Sequence, residues 1–178
     1  MLKHGILGLL SFGDSSGYDI SLSFSDGLNY FWMANQSQIY RELNNMEKVS
    51  WVRSYKEPQE SRPDRRVYSL TAEGREELLN WLKDDGVESL LTMRCPILMK
   101  IFFSGAIDKR EVEHLLKNFK LKCMERASAV SQIQDELENG EESNTPPYWL
   151  YTTDYCKGYY KFLIEWVDST LADLRRYK

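Results

Sequence analysis

Residues 35–48 read NQSQIYRELNNMEK, and this stretch predicts an amphipathic helix around which the rest of the fold is organised. Ile39, Leu43 and Met46 recur at i, i+4 and i+7, which is the spacing of one helix face. Asn35 belongs to the residue types that cap helix N-termini. The other side carries amide, hydroxyl and basic groups in place of the Glu–Lys pairs that usually cover a solvated face. The sequence therefore predicts a helix with one core-facing side and one side rich in hydrogen-bonding groups.

The segments before and after this helix predict two further short helices and a β-hairpin. Residues 2–12 have leucine and isoleucine at helical spacing, and Ser16 is a candidate N-cap for a second helix. After the central helix, SWVRSYKE and DRRVYSL alternate with period two around the polar stretch PQESRP. This pattern is typical of two strands and a turn. Three short helices followed by a hairpin is the order of a winged helix-turn-helix.

The rest of the chain predicts longer helices. Thr71 is the expected cap of a fourth helix whose inward residues we expect to be Leu78, Leu79 and Leu82. Residues 109–139 and 148–177 each repeat apolar side chains at three and four, with an acidic linker containing Gly and Pro between them. The predicted fold class is mainly α with a small β-hairpin. A winged helix-turn-helix domain is expected over 1–84 and a helical dimerisation domain over 85–178.

Composition limits the class of protein. The 178 residues are 42% hydrophobic and 28% charged, and the net charge is −4, so any surface that attracts nucleic acid must be local. The sequence contains no apolar run of membrane-spanning length, and we interpret its N-terminus as the first helix of the fold. Cys95, Cys123 and Cys156 are too far apart for a zinc pattern, and their odd number argues against a disulfide framework. A cytoplasmic protein without a cofactor or metal is expected.

The polar side of the central helix fits the major groove of double-stranded DNA. Gln and Asn can bond adenine edges, Arg can bond guanine, and Ser, Tyr and Lys can hold phosphates. The alternative for the helix alone is an ordinary solvated face. The hairpin favours DNA, because the span from Arg41 to Arg66 has seven basic and five acidic residues in a chain that is acidic overall. The predicted DNA-binding residues are Asn35, Gln36, Ser37, Gln38, Tyr40, Arg41, Asn44, Lys48, Arg62, Arg65 and Arg66.

Three stretches together resemble the PadR family of bacterial transcriptional regulators. These are ILGLLSFGDSSGYDI, FWMANQSQIYREL and DRRVYSLTAEGREELLNWL, which cover about the first 83 residues, and the C-terminal YKFLIEWVDSTL resembles the longer-tailed branch. The resemblance implies a homodimeric winged-helix protein of repressor type that binds an operator, with a helical dimerisation domain. It also implies that a small aromatic molecule releases some members from DNA. Arg41 departs from the Tyr-Pro that often stands there in the family, and Ser50 replaces a common glycine.

Dimerisation and a ligand pocket are two further expectations. The apolar faces of the long helices are broader than one small domain can cover, which favours pairing with a second copy over a monomeric helical hairpin. Aromatic and sulfur side chains could line a cavity for a small aromatic effector between the two domains. The alternative is a packed core and dimer seam. The candidate lining residues are Tyr18, Trp32, Met99, Phe102, Tyr155 and Tyr159.

Two other classes of protein compete with the DNA-binding interpretation. An enzyme is disfavoured because the sequence has no P-loop, dinucleotide-binding turn or nucleophile motif. The two histidines, His4 and His114, both lie in predicted helices, and we interpret them as surface or partly buried residues and not as catalytic bases. No catalytic residue is therefore predicted. A protein–protein adaptor built on a winged helix is the main alternative. Salt separates the two, because binding to DNA weakens steeply as ionic strength rises.

Overall fold

The computed structural model describes residues 1–58, 64–84, 86, 95–139 and 147–176. The chain divides into two compact units, Met1–Leu91 and Thr92–Lys178. Within the described residues, the first unit contains four α-helices and a small antiparallel sheet, and the second is helical. The predicted fold class is confirmed.

The N-terminal unit follows the predicted order of helices and hairpin. Its helices are α1 (Leu2–Leu10), α2 (Gly17–Ser23), continued by a π-helical turn (Phe24–Leu28), α3 (Gln36–Lys48) and α4 (Ala72–Lys83); its strands are β1 (Ser15–Ser16), β2 (Val52–Glu57) and β3 (Arg65–Leu70). β3 lies between β1 and β2 and pairs antiparallel with both, with Ser54 opposite Tyr68. Strand β1 was not predicted from the sequence, because two residues are too few for an alternating pattern to be visible.

Side-chain caps start the helices where the sequence predicts. The Ser16 hydroxyl accepts from Asp19 N at 3.2 Å, and the Asp19 carboxylate accepts from Ser16 N at 3.2 Å, which is a reciprocal capping box. Thr71 Oγ1 accepts from Gly74 N at 3.0 Å and caps α4. Each cap satisfies backbone N–H groups that the first helical turn leaves without an internal partner. The predicted caps Ser16 and Thr71 are confirmed.

Helix α3 ends in a left-handed turn at Ser50. Ser50 has φ of 61°, the only positive φ of a residue other than glycine among those the structure describes. Ser50 N donates to Glu47 O at 3.1 Å and Trp51 N donates to Met46 O at 2.9 Å. These two bonds form a Schellman motif, in which glycine normally occupies the left-handed position.

One core holds the N-terminal unit together. Eleven buried residues form it: Ile6, Leu7, Leu10, Ile20, Phe24, Ile39, Leu43, Met46, Val52, Tyr68 and Leu78. The prediction for α4 was partly wrong, because only Leu78 is buried, whereas Leu79 and Leu82 are 46% and 63% exposed. The core side of α4 carries Leu78 and the half-buried Trp81, which are three residues apart and share a face.

The C-terminal unit contains three α-helices in its described part. They are α5 (Pro96–Phe102), α6 (Lys109–Asn139) and α7 (Pro147–Arg176), with a 3₁₀ turn (Ser104–Ala106) after α5. Val112 and Leu116 of α6 form a buried cluster with Val167 and Leu171 of α7. Lys120 and Asp168 join the same helices in an ion pair of 2.6 Å. No described helix is apolar over a length that would cross a membrane.

Candidate nucleic-acid interface and a cavity in the helical unit

The first turn of α3 is held by reciprocal hydrogen bonds between Asn35, which precedes the helix, and Gln38 in its first turn. Gln38 N donates to Asn35 Oδ1 at 2.9 Å, and Asn35 N donates to Gln38 Oε1 at 3.0 Å. Asn35 is therefore the N-cap that the sequence predicts, and Gln38 completes a capping box. These bonds use the two amide oxygens and leave the two NH₂ groups as donors for another molecule.

The rest of α3 separates a buried side from an exposed side. Ile39, Leu43 and Met46 are at most 1% exposed, which confirms the predicted inner face. The exposed residues include five predicted DNA contacts: Gln36, Ser37, Arg41, Asn44 and Lys48. Within the described part of the chain, neither Arg41 nor Lys48 is paired with a carboxylate. The outer strip of the helix therefore combines amide and hydroxyl groups with two cations.

Tyr40 has a packing role in addition to its exposed edge. A Cβ atom built on Gly17 would lie 2.6 Å from Cε1 of the Tyr40 ring, so the ring occupies the space that a side chain would need. Gly17 is the first residue of α2. Tyr40 therefore holds α2 and α3 in close contact, and the absence of a side chain at residue 17 permits this approach.

The hairpin arginines are held by carboxylates of neighbouring helices. Arg65 forms an ion pair with Asp19 of α2 and lies 3.8 Å from Glu57. Arg66 forms an ion pair with Glu47 of α3. Arg65 and Arg66 thus connect β3 to the helix-turn-helix, a role that was not predicted from the sequence.

Ser54 and Tyr68 complete the network around Arg66. Arg66 Nε donates to Ser54 Oγ at 2.9 Å, Ser54 Oγ donates to Glu47 Oε1 at 2.5 Å, and the Arg66 guanidinium lies 5.1 Å from the centre of the Tyr68 ring. The hydrogen bond from Ser54, together with the Arg66 charge, lowers the pKa of Glu47. Glu47 therefore stays ionised and keeps its bond to the arginine.

Lys56 is a hairpin cation that the predicted site omitted. It stands opposite Arg66 in the β2–β3 register and is exposed. Lys56 lies two residues from Ser54 and so projects from the same face of the strand, toward the side where Ser54 meets α3. No carboxylate in the described residues pairs with it. The sequence did contain a signal for Lys56, because this residue lies in the stretch from Arg41 to Arg66 where basic residues outnumber acidic ones. Arg62, the other predicted hairpin contact, lies outside the described residues.

The predicted aromatic set is divided between the two units. In the N-terminal unit, Trp32 packs against the core and Tyr18 is 62% exposed. In the C-terminal unit, Met99, Phe102 and Tyr155 are at least 64% exposed. Tyr159, the remaining member, stacks on Tyr155 with ring centres 6.5 Å apart and lines a cavity of about 540 Å³.

This cavity lies within the C-terminal unit. Its wall includes Cys95 and Lys100 at α5, Phe119 and Cys123 of α6, and Tyr160 of α7. Burial raises the pKa of the Cys123 thiol and of the Tyr160 phenol, so both groups are neutral near neutral pH. Tyr159 belongs to the predicted aromatic set, whereas the two cysteines were considered only as unpaired thiols.

Comparison with known proteins gives a consistent result over both units. Residues 6–80 match the model of the transcriptional regulator PadR-like family, and residues 93–175 match that of the virulence activator alpha C-terminal region. A similar curated protein is the negative transcriptional regulator PadR of Bacillus subtilis. It is 30% identical over 183 residues, which span 97% of this chain and 96% of the relative.

Solved structures resemble the fold along the whole chain. Bacillus subtilis PadR in complex with operator DNA has a TM-score of 0.75 at 28% identity, covering 97% of this chain and 98% of that chain. The same protein in complex with p-coumaric acid has a TM-score of 0.69 at 28% identity, covering 98% and 95%. The virulence activator AphA of Vibrio cholerae has a TM-score of 0.76 at 25% identity, and the match covers 100% of this chain and 100% of that chain. With these matches over both units, the chain belongs to the PadR-like family of transcriptional regulators.

Proposed function

We propose that this regulator is a homodimeric repressor that binds an operator through α3 and the hairpin and is released from it by a small aromatic ligand. The Bacillus subtilis relative is named a negative regulator, and its solved structures contain operator DNA in one case and p-coumaric acid in another. Those names support the sign of regulation and the type of ligand proposed here.

The exposed strip of α3 is the observation that carries the DNA contact. Ser37, Arg41, Asn44 and Lys48 are spaced so that they follow one side of the helix, opposite the buried Ile39 face. In a major groove, the Asn44 amide can bond a base edge, while Arg41 can bond guanine or a phosphate. Because both cations of the strip lack a carboxylate partner among the described residues, neither must break an internal ion pair to bind DNA.

The first turn of α3 supplies further donors. Backbone N–H groups at a helix N-terminus attract phosphate, and the free NH₂ groups of Asn35 and Gln38 are donors as well. Gln36 is exposed beside them, and Tyr40 presents its hydroxyl at the edge of its contact with Gly17. We assign this end of the helix to the DNA backbone.

In the hairpin, we assign the phosphate contact to Lys56 and a positioning role to Arg65 and Arg66. Each arginine holds a carboxylate of α2 or α3, which fixes the hairpin beside the recognition helix. Arg62 stays a predicted contact in the segment between the strands.

Salt dependence separates a positioning arginine from one that binds phosphate. If Arg66 acts through Glu47, then Arg66→Ala and Glu47→Gln should weaken operator binding to a similar degree, and the slope of log K against log salt should stay unchanged. If Arg66 binds phosphate instead, Arg66→Ala should reduce that slope by about one, and Glu47→Gln should leave binding intact or strengthen it.

Selection of bound DNA from a random pool, followed by a salt titration with the selected duplex, tests the operator proposal. We expect a two-fold symmetric sequence, since a dimer with two recognition helices reads two half-sites. Arg41→Ala and Lys48→Ala should each reduce the salt slope by up to about one, whereas Arg75→Ala, an exposed change on α4, should not. Absence of any bound sequence at low salt would favour the protein–protein adaptor.

The dimer part of the proposal is based on α7. Large aromatic side chains are exposed along it, including Tyr148, Tyr151, Tyr155 and Phe162, each at least 60%. Contiguous exposed apolar surface of this kind marks an interaction site, and in a regulator of a symmetric operator a second copy is the expected partner.

A further inference from the structure

Two of the three cysteines line the cavity in the helical unit. Cys95 directly precedes α5 and is partly exposed, whereas Cys123 of α6 is 3% exposed. Burial raises the pKa of Tyr159, and the Cys95 and Cys123 thiols raise it further, so both thiols lie near the Tyr159 hydroxyl. Cys156 is buried as well but does not line the cavity. The fold therefore brings two thiols that are far apart in the sequence to one cavity.

Cations line the cavity together with these thiols. The wall includes Lys100, Lys122 and Arg126, and no aspartate or glutamate is among its described lining residues. The Lys122 ammonium lies 2.6 Å from the Glu125 carboxylate, whereas Lys100 has no carboxylate partner within the described residues. Lys100 is about one helical turn from the start of α5, where Cys95 stands. Partly exposed cysteines in electropositive surroundings are the reactive ones in proteins, because a nearby positive charge favours the thiolate.

The three thiols differ in their expected reactivity. Burial raises the pKa of Cys123 and of Cys156, so both are neutral thiols near neutral pH. Because the thiolate is the nucleophile, burial makes these two cysteines unreactive. Cys95 combines access from solvent with the cationic wall. It is therefore the nucleophile among the three.

The remaining wall of the cavity is apolar. Phe119, Tyr160 and Leu163 contribute two rings and an aliphatic side chain. The volume of about 540 Å³ falls within the range of small-molecule sites. A reagent that reaches Cys95 through this cavity is therefore selected for an apolar body, which leaves water when it contacts the wall.

We propose that Cys95 is a modification site for apolar α,β-unsaturated carbonyl compounds and that the adduct lowers the affinity of this regulator for its operator. The part that concerns the operator rests on the proposed function above, whereas formation of the adduct does not depend on DNA. This covalent response is additional to the release by a small aromatic ligand.

The reaction is a conjugate addition that needs no oxidant and no leaving group. The Cys95 thiol loses its proton to water, and the sulfur forms a bond to the β-carbon of the compound. The carbon–carbon π bond breaks, and its electron pair moves through the carbonyl group to form an enolate. Water then returns a proton to the α-carbon, so the thioether contains all atoms of both reactants. The Lys100 charge favours both the thiolate and the enolate oxygen.

Tyr159 connects the modified cysteine to the exposed aromatic face of α7. It lines the cavity with Cys95, and its ring stacks on Tyr155, which is 70% exposed. An adduct that displaces Tyr159 would therefore alter the face that we assign to the second copy. Because a dimer reads two half-sites at a fixed spacing, a changed dimer contact lowers the affinity for the operator.

Modification rates of the full-length protein with pentyl vinyl ketone and methyl vinyl ketone, read at each cysteine by peptide mass spectrometry, test the site. Each rate is divided by the rate of the same ketone with glutathione. We expect Cys95 to react first, and its corrected rate to be at least about tenfold higher with the pentyl compound, whose longer chain contacts the apolar wall. Reaction of Cys123 or Cys156 as fast as that of Cys95, or equal corrected rates with the two ketones, would overturn the assignment.

Variants at two lysines test the role of the charge. Lys100→Met should slow the reaction of Cys95 with pentyl vinyl ketone by about tenfold, because the thiolate and the enolate lose a neighbouring cation. Lys117→Met, an exposed change on α6 outside the cavity, should react like the original protein. An unchanged rate in Lys100→Met would refute the part assigned to this lysine.

Operator binding before and after modification tests the regulatory consequence. Complete reaction at Cys95 should weaken operator binding by about tenfold, whereas Cys95→Ser treated in the same way should keep its affinity. Ethyl pentyl ketone, which lacks the reactive double bond, should leave the affinity of the original protein unchanged. Unchanged affinity of the fully modified protein would refute the regulatory consequence. If the unmodified protein bound no DNA, the proposed function and this consequence would both fail, while the modification rates would still decide the site.

Discussion

The two units of the chain bury their apolar side chains to very different degrees. The N-terminal unit has a continuous core in which Ile6, Leu7, Ile39 and Leu43 are fully buried. The long helices α6 and α7 share a narrower buried strip, and α7 leaves Tyr148, Tyr151, Tyr155 and Phe162 largely exposed. Exposed apolar surface of this kind marks an interaction site, whereas the apolar side chains of the N-terminal core are enclosed within their own unit. The difference is the reason why we assign the proposed contact with a second copy to the helical unit.

The largest effect is expected where the N-terminal core tolerates no additional atom. A Cβ atom on Gly74 would lie 2.0 Å from the Trp51 carbonyl oxygen, so Gly74→Ala should lower the free energy of unfolding by about 3 kcal/mol or more. Gly8→Ala is the matched control, because nothing lies within 4 Å of its added methyl and alanine favours the helix by about 0.5–1 kcal/mol. Urea unfolding of the full chain measures both. Equal behaviour of the two variants would show that the core is less tightly packed than described.

In the helical unit, polar substitutions on the exposed face of α7 should weaken dimerisation and leave the unfolding of the N-terminal unit unchanged. Tyr155→Ser with Phe162→Ser should weaken dimerisation by about 100-fold, or about 3 kcal/mol, since aromatic residues dominate protein interfaces. Sedimentation across a concentration series measures this, and Lys117→Ser serves as an exposed control on α6. The N-terminal unit should keep its unfolding transition in the double variant. A dimer of unchanged stability would remove the contrast between the units.

A smaller effect is expected at the end of the recognition helix. Ser50 occupies a left-handed conformation that glycine adopts without strain, so Ser50→Gly should stabilise the N-terminal unit by about 0.5–1 kcal/mol. Asn45→Gly, an exposed change in the interior of α3, should instead cost about 0.3 kcal/mol, the difference between the helix propensities of asparagine and glycine. Thermal unfolding of both variants checks the pair. If both glycines destabilise, the left-handed turn is not strained by serine.

The smallest effect is expected on the stability of the N-terminal unit at mildly acidic pH. His4 stacks on Trp81 with ring centres 4.6 Å apart and lies 3.0 Å from Glu77 Oε1. Burial lowers the pKa of His4 from its ordinary value of 6.5, despite the opposing effect of the hydrogen bond that its ring donates to Glu77. As pH falls below 6.5 the unfolded chain takes up the proton first, so the stability of the N-terminal unit falls until the folded-state pKa is passed.

Unfolding of the N-terminal unit at pH 7.5 and 5.5 measures that loss. His4→Phe keeps a ring against Trp81 and should flatten the dependence in this window, whereas His114→Phe, at an exposed position, should not. The pKa of Glu77 is lowered by its bonds from His4 and Lys3, so its contribution is lost only at lower pH, as pH falls below 4.5. A dependence that persists in His4→Phe would assign it to another group.

Much of the local structure follows from residues near each other in the chain. Periodic apolar side chains located α1, α3, α6 and α7, and Asn35, Ser16 and Thr71 marked helix starts because a cap needs only a neighbouring backbone N–H. Less of the candidate site could be predicted from the sequence. The exposed strip of α3 followed from its period, but the pairing of Arg66 with Glu47, 19 residues away, is not encoded in any local pattern.

The sequence by itself therefore determined which segments are helical, where their caps lie and which side of α3 is buried, because these properties depend on contacts within a few residues. Tertiary structure alone decided that Arg65 and Arg66 hold the hairpin to α2 and α3, that Gly17 receives the Tyr40 ring, and that Leu79 and Leu82 face outward. It also gathered Cys95, Lys100 and Cys123 around one cavity. Each of these features depends on how elements far apart in the sequence pack against one another, and the periodicity of a single segment does not contain that information.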